Sequence, residues 1–312
     1  MLTFTIKKLQ PVFTETLTPP ACHSASIAEL PDGSLACVWY SGSFEGSKDT
    51  VLYWSKSGSE GGWEKPRVVV ELPGLSTGNP VLWHDGEKLN LYFVILYGDW
   101  WSEAKVSYTS SMDNGATWSP KKLLWDEAGT MLRTPPLRLT TGEILLPIYD
   151  ERAWCSLILR SEDNGQTWRK YGDATARGIT IQPSLVELED GRVLAYSRSS
   201  KGFIYVSWSY NKGLSWTASQ PLPLVNNNTG IDLIRSDEGL LLVHNDTATG
   251  RHRLVVSHST DEGNHWKLTA VLEDSEGEFS YPTMIQAQSG KIHIVYTNQR
   301  QTINHIEVVL SR

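Results

Sequence analysis

The sequence predicts an all-β chain folded as a six-bladed β-propeller with four-stranded blades. Three observations predict it: a short box ending in Trp recurs about every 50 residues, a two-strand unit recurs six times between the boxes, and the two chain ends supply strands that can close the ring.

The box is clearest at Ser111 to Trp118 and Ser161 to Trp168, where S-x-D-x-G-x-T-W is complete. Copies at Ser209 to Trp216 and Ser259 to Trp266 carry conservative changes, and Ser55 to Trp63 is a degraded first copy. Each box reads as a hairpin turn. Asp or Asn accepts hydrogen bonds from the turn backbone, Gly supplies a positive φ, and Trp packs between neighbouring blades. The boxes are thus structural.

The second unit begins at His23 to Tyr40, an alternating strand, a D-G turn and another alternating strand. It returns at Asn79 to Leu96, Thr134 to Asp150, Gln182 to Arg198, Thr229 to Asn245 and Tyr281 to Asn298, with turn glycines at 33, 86, 142, 191, 239 and 290. Five boxes and six such units make six blades, the last one completed when Ile303 to Leu310 meets Thr3 to Lys8, so that no edge is left exposed. No linker or low-complexity tract interrupts the array, and all 312 residues read as one domain.

Composition narrows the partners. A net charge of −7 argues against nucleic acid or an anionic membrane, so an anionic ligand has to be met by local arginines. Thirteen Trp and twelve Tyr suit blade packing and sugar-stacking platforms. Cys22, Cys37 and Cys155 form neither a disulfide frame nor a metal-ligand spacing and read as buried thiols, and no cofactor motif is present. The opening MLTFTIKKLQPVF lacks a basic stretch followed by an apolar one, which reads as a cytoplasmic chain unless an export signal has been trimmed.

Strand alternation puts the heads of the first strands and the loops after the second strands on one face, opposite the boxes. The expected heads are His23, Asn79, Arg133, Gln182, Gly230 and Tyr281. The loops add Glu45, Asp49, Asp99, Trp100, Trp101, Asp150, Arg152, Arg198, Arg251, Arg253, Asn298 and Arg300. Guanidinium forks pair with a substrate carboxylate, and Trp100 and Trp101 suit the apolar face of a sugar ring. Each residue also has a bland reading: Arg198 as one half of a salt bridge, the tryptophans as loop packing, Tyr281 as a core tyrosine, His23 as a strand-end histidine, Glu45 and Asp49 as solvated charges.

With these residues in place, nearly the whole chain resembles the sialidase (neuraminidase) superfamily, in particular its bacterial BNR-repeat "predicted neuraminidase" group. The resemblance implies an arginine triad for the substrate carboxylate, a Tyr nucleophile activated by Glu, and an Asp acid/base. It carries the second triad arginine onto Arg198 (VLAYSR), the third onto Arg251 (GRHRLVVSH), the nucleophile onto Tyr281 (FSYPTMIQ) and the acid/base onto Asp49. Arg133, Glu45, Asn79, Trp100, Trp101 and Arg300 complete the expected binding set.

Two positions depart from the pattern. His23, in HSAS, stands where the family has Arg, and Gln182, in IQPSLVEL, stands where it has the activating Glu. Gln cannot take a proton from a tyrosine whose ordinary pKa is near 10. Three readings therefore stand open: an exo-glycosidase acting on a terminal acidic sugar; a lyase of uronate-containing glycans, with Tyr281 or His23 abstracting the proton alpha to the carboxylate; and a glycan-binding propeller without catalysis.

Overall fold

In the computed structural model, which describes residues 3–58, 61–171 and 177–311, the chain forms six antiparallel sheets that are the predicted blades. After β1 (Thr3–Pro11), blade 1 holds β2 (Ala21–Glu29), β3 (Leu35–Gly42), β4 (Val51–Lys56) and β5 (Arg67–Val70). Blade 2 holds β6 (Ser76–His84), β7 (Leu89–Leu96), β8 (Ala104–Ser111) and β9 (Lys122–Trp125). Blade 3 holds β10 (Thr130–Leu132), β11 (Leu137–Arg138), β12 (Ile144–Asp150), β13 (Cys155–Ser161) and β14 (Arg169–Tyr171). Blade 4 holds β15 (Thr180–Glu187), β16 (Val193–Ser199), β17 (Phe203–Ser209) and β18 (Gln220–Val225), and blade 5 holds β19 (Asp232–Ser236), β20 (Gly239–Asn245), β21 (Arg253–Ser259) and β22 (Lys267–Asp274). Blade 6 holds β23 (Phe279–Gln286), β24 (Ile292–Asn298) and β25 (Thr302–Ser311), and β1 completes it by pairing antiparallel with β25 from Thr3↔Ser311 to Pro11↔Asn304. Among the described residues no helix is long and apolar enough to cross a membrane.

The chain divides into two compact units: Met1–Met131 with Glu278–Arg312, and Leu132–Gly277. In the first, one core cluster joins Val12, Phe13, Ile27, Trp39, Val295 and Ile303, and a second joins Val38, Leu52, Leu82, Leu91 and Phe93. In the second, Val186, Tyr196, Leu233 and Leu242 form a core, and Leu145, Ile158 and Val193 another. These are the inward positions of the alternating strands, removed from water between adjacent sheets. The three cysteines are buried free thiols, and burial pushes Cys22 up to about 11.

The turn chemistry follows the sequence. All six turn glycines have positive φ. In the box at 111–118, Ser111 Oγ donates to Asp113 Oδ1, and Asp113 accepts from Thr117 N at 2.8 Å and Thr117 Oγ1 at 2.6 Å. All three bonds recur at 161–167; at 259–265 the His265 ring takes the place of the threonine hydroxyl, and at 209–215 Asn211 accepts from Ser215 N but donates from Nδ2 to Ser215 Oγ. The box tryptophan packs on the preceding blade: Trp118 meets Trp54 edge-on at 5.6 Å, and Trp266 donates from Nε1 to Tyr196 Oη at 3.3 Å. Gly263 must be glycine for a second reason, since a Cβ there would come within 2.4 Å of the Tyr196 hydroxyl. Part of the degraded box at 55–63 lies outside the described residues.

Blade 3 departs from expectation. A continuous first strand from Thr134 is replaced by the short pieces β10 and β11, interrupted at Arg133 to Pro136. Pro135 and Pro136 have no N–H to give a ladder, which is why the strand breaks there.

Candidate functional site

The heads of four first strands share a distortion that alternation did not anticipate. Ser24, Asn79, Gln182 and Tyr281 all have left-handed backbones, with φ of 57°, 43°, 54° and 52°. Each lies where the pairing with the second strand slips: between His23 and Ser26, Gly78 and Val81, Ile181 and Pro183, Ser280 and Thr283. These are β-bulges, which re-aim side chains at a strand end. A left-handed non-glycine residue costs about 1–3 kcal/mol, a strain that gathers at functional sites. The expected register in blade 1 is therefore off by one: Ser24, not His23, is the counterpart of Asn79, Gln182 and Tyr281. Two signals in the sequence point to this. A proline follows Asn79, Gln182 and Tyr281, and Ser24, Gln182 and Tyr281 each stand nine residues before their turn glycine (33−24, 191−182, 290−281).

In the first unit the bulges bring three blades together. The buried His23 ring lies 4.2 Å from the Tyr281 ring, tilted by 50°, and 5.7 Å edge-on from Tyr40. His23 Nδ1 is 3.0 Å from Thr297 Oγ1, which also accepts the Ser24 amide at 3.2 Å. Ser24 Oγ donates to Asn79 Oδ1 at 3.2 Å, so Asn79 helps to hold the bulge of its neighbour. Tyr40, which the sequence reading left out, is buried behind His23; burial first, then the nearby Glu45 carboxylate, push its phenol well above its ordinary value.

The two loops expected to line the site behave differently. Asp49 is exposed, and its carboxylate accepts from Ser43 N at 3.1 Å and from the Ser43 and Ser47 hydroxyls. The Ser43 hydroxyl, then that of Ser47, hold its carboxyl at about 2, so Asp49 is ionised at neutral pH. It lines an open groove of about 710 Å³ with Thr18, Pro20, Lys48 and Glu71. Glu45 and Arg300 engage each other: the guanidinium donates to Glu45 Oε2 at 2.6 Å and to Glu278 Oε2 at 3.0 Å. Burial works against the charge of Arg300, but the Glu278 and Glu45 bonds outweigh it and hold its pKa above the ordinary value. Asp99 pairs with Lys48 at 2.9 Å. Trp101 packs over Gly78, where a Cβ would fall 2.9 Å from its ring, whereas Trp100 stands 73% exposed.

In the second unit Arg198 and Gln182 meet. Arg198 donates from Nε to Asn228 Oδ1 at 2.7 Å and from Nη1 to Gln182 Oε1 at 3.1 Å, and its guanidinium lies 5.8 Å above the Trp154 ring. Gln182 in turn donates to Tyr149 Oη at 3.3 Å. Gln182 thus orients an arginine. Asn228, Trp154 and Tyr149 were not anticipated. Arg133 is fully buried at the break in blade 3, and Arg251 is half-buried just ahead of β21. Arg253 pairs with Asp274, and Arg152 with Asp150.

The sequence model of the BNR repeat-like domain matches residues 33–294. An anhydrosialidase from Macrobdella decora is 22% identical over 216 residues, covering 60% of this chain and 28% of that protein. The chain spans about a third of the length of the curated relatives it matches. Among solved structures, a protein of unknown function from Dyadobacter fermentans superposes with a TM-score of 0.81 at 15% identity, covering 99% of each chain. The NanB sialidase of Streptococcus pneumoniae superposes with a TM-score of 0.79 at 13% identity, covering 97% of this chain and 70% of that one. These likenesses establish the fold as the six-bladed β-propeller of sialidases.

Proposed function

We propose, from the premise that the chain belongs to the BNR repeat-like domain family of the sialidase superfamily, that it is an exo-glycosidase acting on a terminal, carboxylate-bearing sugar. The observation that carries this reading is the placing of Tyr281 on a strained bulge with its ring against His23. The tyrosine oxygen gives up its proton to solvent water as it attacks the anomeric carbon, the bond to the leaving oxygen breaks, and water later displaces the tyrosine, which regains a proton. Arg198, held by the neutral amides of Asn228 and Gln182, is assigned the substrate carboxylate. Ionised Asp49 suits the base that activates water; to protonate the leaving oxygen it must first shed the bonds from Ser43 and Ser47 and take up a proton from solvent.

A second reading is supported by that same ionised Asp49 and by the neutral Gln182. With Asp49 ionised at rest, elimination from a uronate becomes the alternative: ionised Tyr281 takes the proton alpha to the carboxylate, the bond from the beta carbon to the leaving oxygen breaks as the double bond forms, and the tyrosine passes its proton to that oxygen.

Incubation with a panel of sialosides and uronate glycans, followed by product analysis, tests both readings. A saturated acidic sugar supports the hydrolase; an unsaturated, ultraviolet-absorbing uronate supports the lyase. Binding without turnover on the whole panel refutes both and leaves a glycan-binding propeller.

A further inference from the structure

Thr297, near the end of β24, is fully buried, and its hydroxyl touches two groups of the blade 1 bulge. A hydroxyl has one hydrogen to donate and two lone pairs to accept with. One lone pair takes the Ser24 amide hydrogen at 3.2 Å. Among the described residues the hydroxyl hydrogen has one acceptor, His23 Nδ1 at 3.0 Å. The opposite arrangement, with Nδ1–H donating to Thr297, would strand the threonine hydrogen in the interior, which a buried polar group resists. We propose that Thr297 is a positioning residue that donates to Nδ1 and so fixes neutral His23 as the tautomer with its proton on Nε2.

The two ring nitrogens of a histidine have different roles, and the bond made by one decides what the other can do. With Nδ1 accepting from Thr297, Nε2 carries a hydrogen. Neutral His23 is then a hydrogen-bond donor at Nε2, and its basic nitrogen is occupied. It therefore does not deprotonate Tyr281; it stabilises negative charge on an oxygen brought to Nε2. This role rests on the glycosidase reading given above, whereas the tautomer rests on the hydrogen-bond pattern alone. Ser24 Oγ, anchored on Asn79 Oδ1, fixes the other side of the bulge, so the imidazole's backbone is held from both neighbouring blades.

The test is the ring nitrogen resonances of ¹⁵N-histidine-labelled protein without ligand at about pH 8, where an ordinary histidine is neutral. His23 is assigned by the signal lost in His23→Gln. The expected result is a protonated Nε2 and an unprotonated Nδ1 in the wild type, the same pattern in Thr297→Ser, and a shift toward the other tautomer or a mixture in Thr297→Val. A wild type with its proton on Nδ1 overturns the proposal, as does a Thr297→Val protein whose His23 signals match the wild type. Should Thr297→Val fail to fold, the wild type and Thr297→Ser spectra decide. None of these readouts needs turnover, so the tautomer and the glycosidase reading can fail separately.

Discussion

The His23 ring lies 4.2 Å from the Tyr281 ring although 258 positions (281−23) separate them in the chain. Blade 1 and blade 6 each contribute one of the two, from bulges at matching places on β2 and β23. The pair exists because the last blade packs beside the first.

If Tyr281 is the nucleophile, Tyr281→Phe keeps the ring against His23 and removes the attacking oxygen. Turnover falls roughly 10³-fold with little change in affinity for an acidic sugar. Arg198→Ala does the reverse, weakening binding by about 2–3 kcal/mol through loss of a charge-assisted pair. Steady-state kinetics with calorimetric binding to each variant separates the two. Full activity in Tyr281→Phe refutes the tyrosine mechanism.

Hydrogen bonds to the ionised form hold the Asp49 carboxyl at about 2, so removing them raises it. In Ser43→Ala/Ser47→Ala the Asp49 carboxyl resonance titrates at a higher pH than in the wild type. If Asp49 must be protonated for the first step, the alkaline limb of kcat moves up in the same variant. An unchanged limb with a raised carboxyl pKa removes Asp49 from that step.

Arg300 ties the Glu45 loop to the strand of Tyr281 through Glu278. All three side chains are partly solvated, so screening limits the stability lost in Arg300→Ala to about 1 kcal/mol. Amide hydrogen exchange over residues 43–50 should rise sharply in that variant. Unchanged exchange with weakened acidic-sugar binding would instead make Arg300 a ligand for substrate.

Burial depresses His244 and His293 to about 4 and His305 to about 3, the last pressed further by its neighbour His293 at 3.0 Å. The folded protein keeps these rings neutral while the unfolded chain protonates them below about 6.5. Stability from this source is whole above that pH and declines as pH falls toward the folded values. The box aspartates, at about 2, are still ionised over most of that window. Urea midpoints at pH 7 and pH 5 should therefore differ, and His293→Gln/His305→Gln should lessen the difference. A midpoint independent of pH over that range contradicts the burial assigned to these rings.

Regular features of the fold were legible because each is enforced locally. A turn glycine, an Asp two residues after a Ser, and alternation of period two act over a few residues, and all six inner hairpins fell where these signals put them. The bulges were not read, because alternation presumes an unbroken pleat; one extra residue moved the blade 1 position from His23 to Ser24. Pairings between distant loops had no local signature. Glu45 and Arg300 were each expected to face a ligand, and nothing in either segment announces that they hold each other. Thr297, an ordinary strand threonine by pattern, matters through a bond to a residue 274 positions away.

Pairing β1 with β25 has a consequence for how the chain comes off the ribosome. β1 finds its partner only when β25 has emerged, so blades 1 and 2 have all their strands long before blade 6 has its fourth. Bringing residues 3–11 to residues 304–311 closes a loop that spans all six blades, a slow and entropically costly step. Until it is taken, β25 offers an open row of N–H and C=O groups, to which β1 of a second copy has the same complementarity as its own.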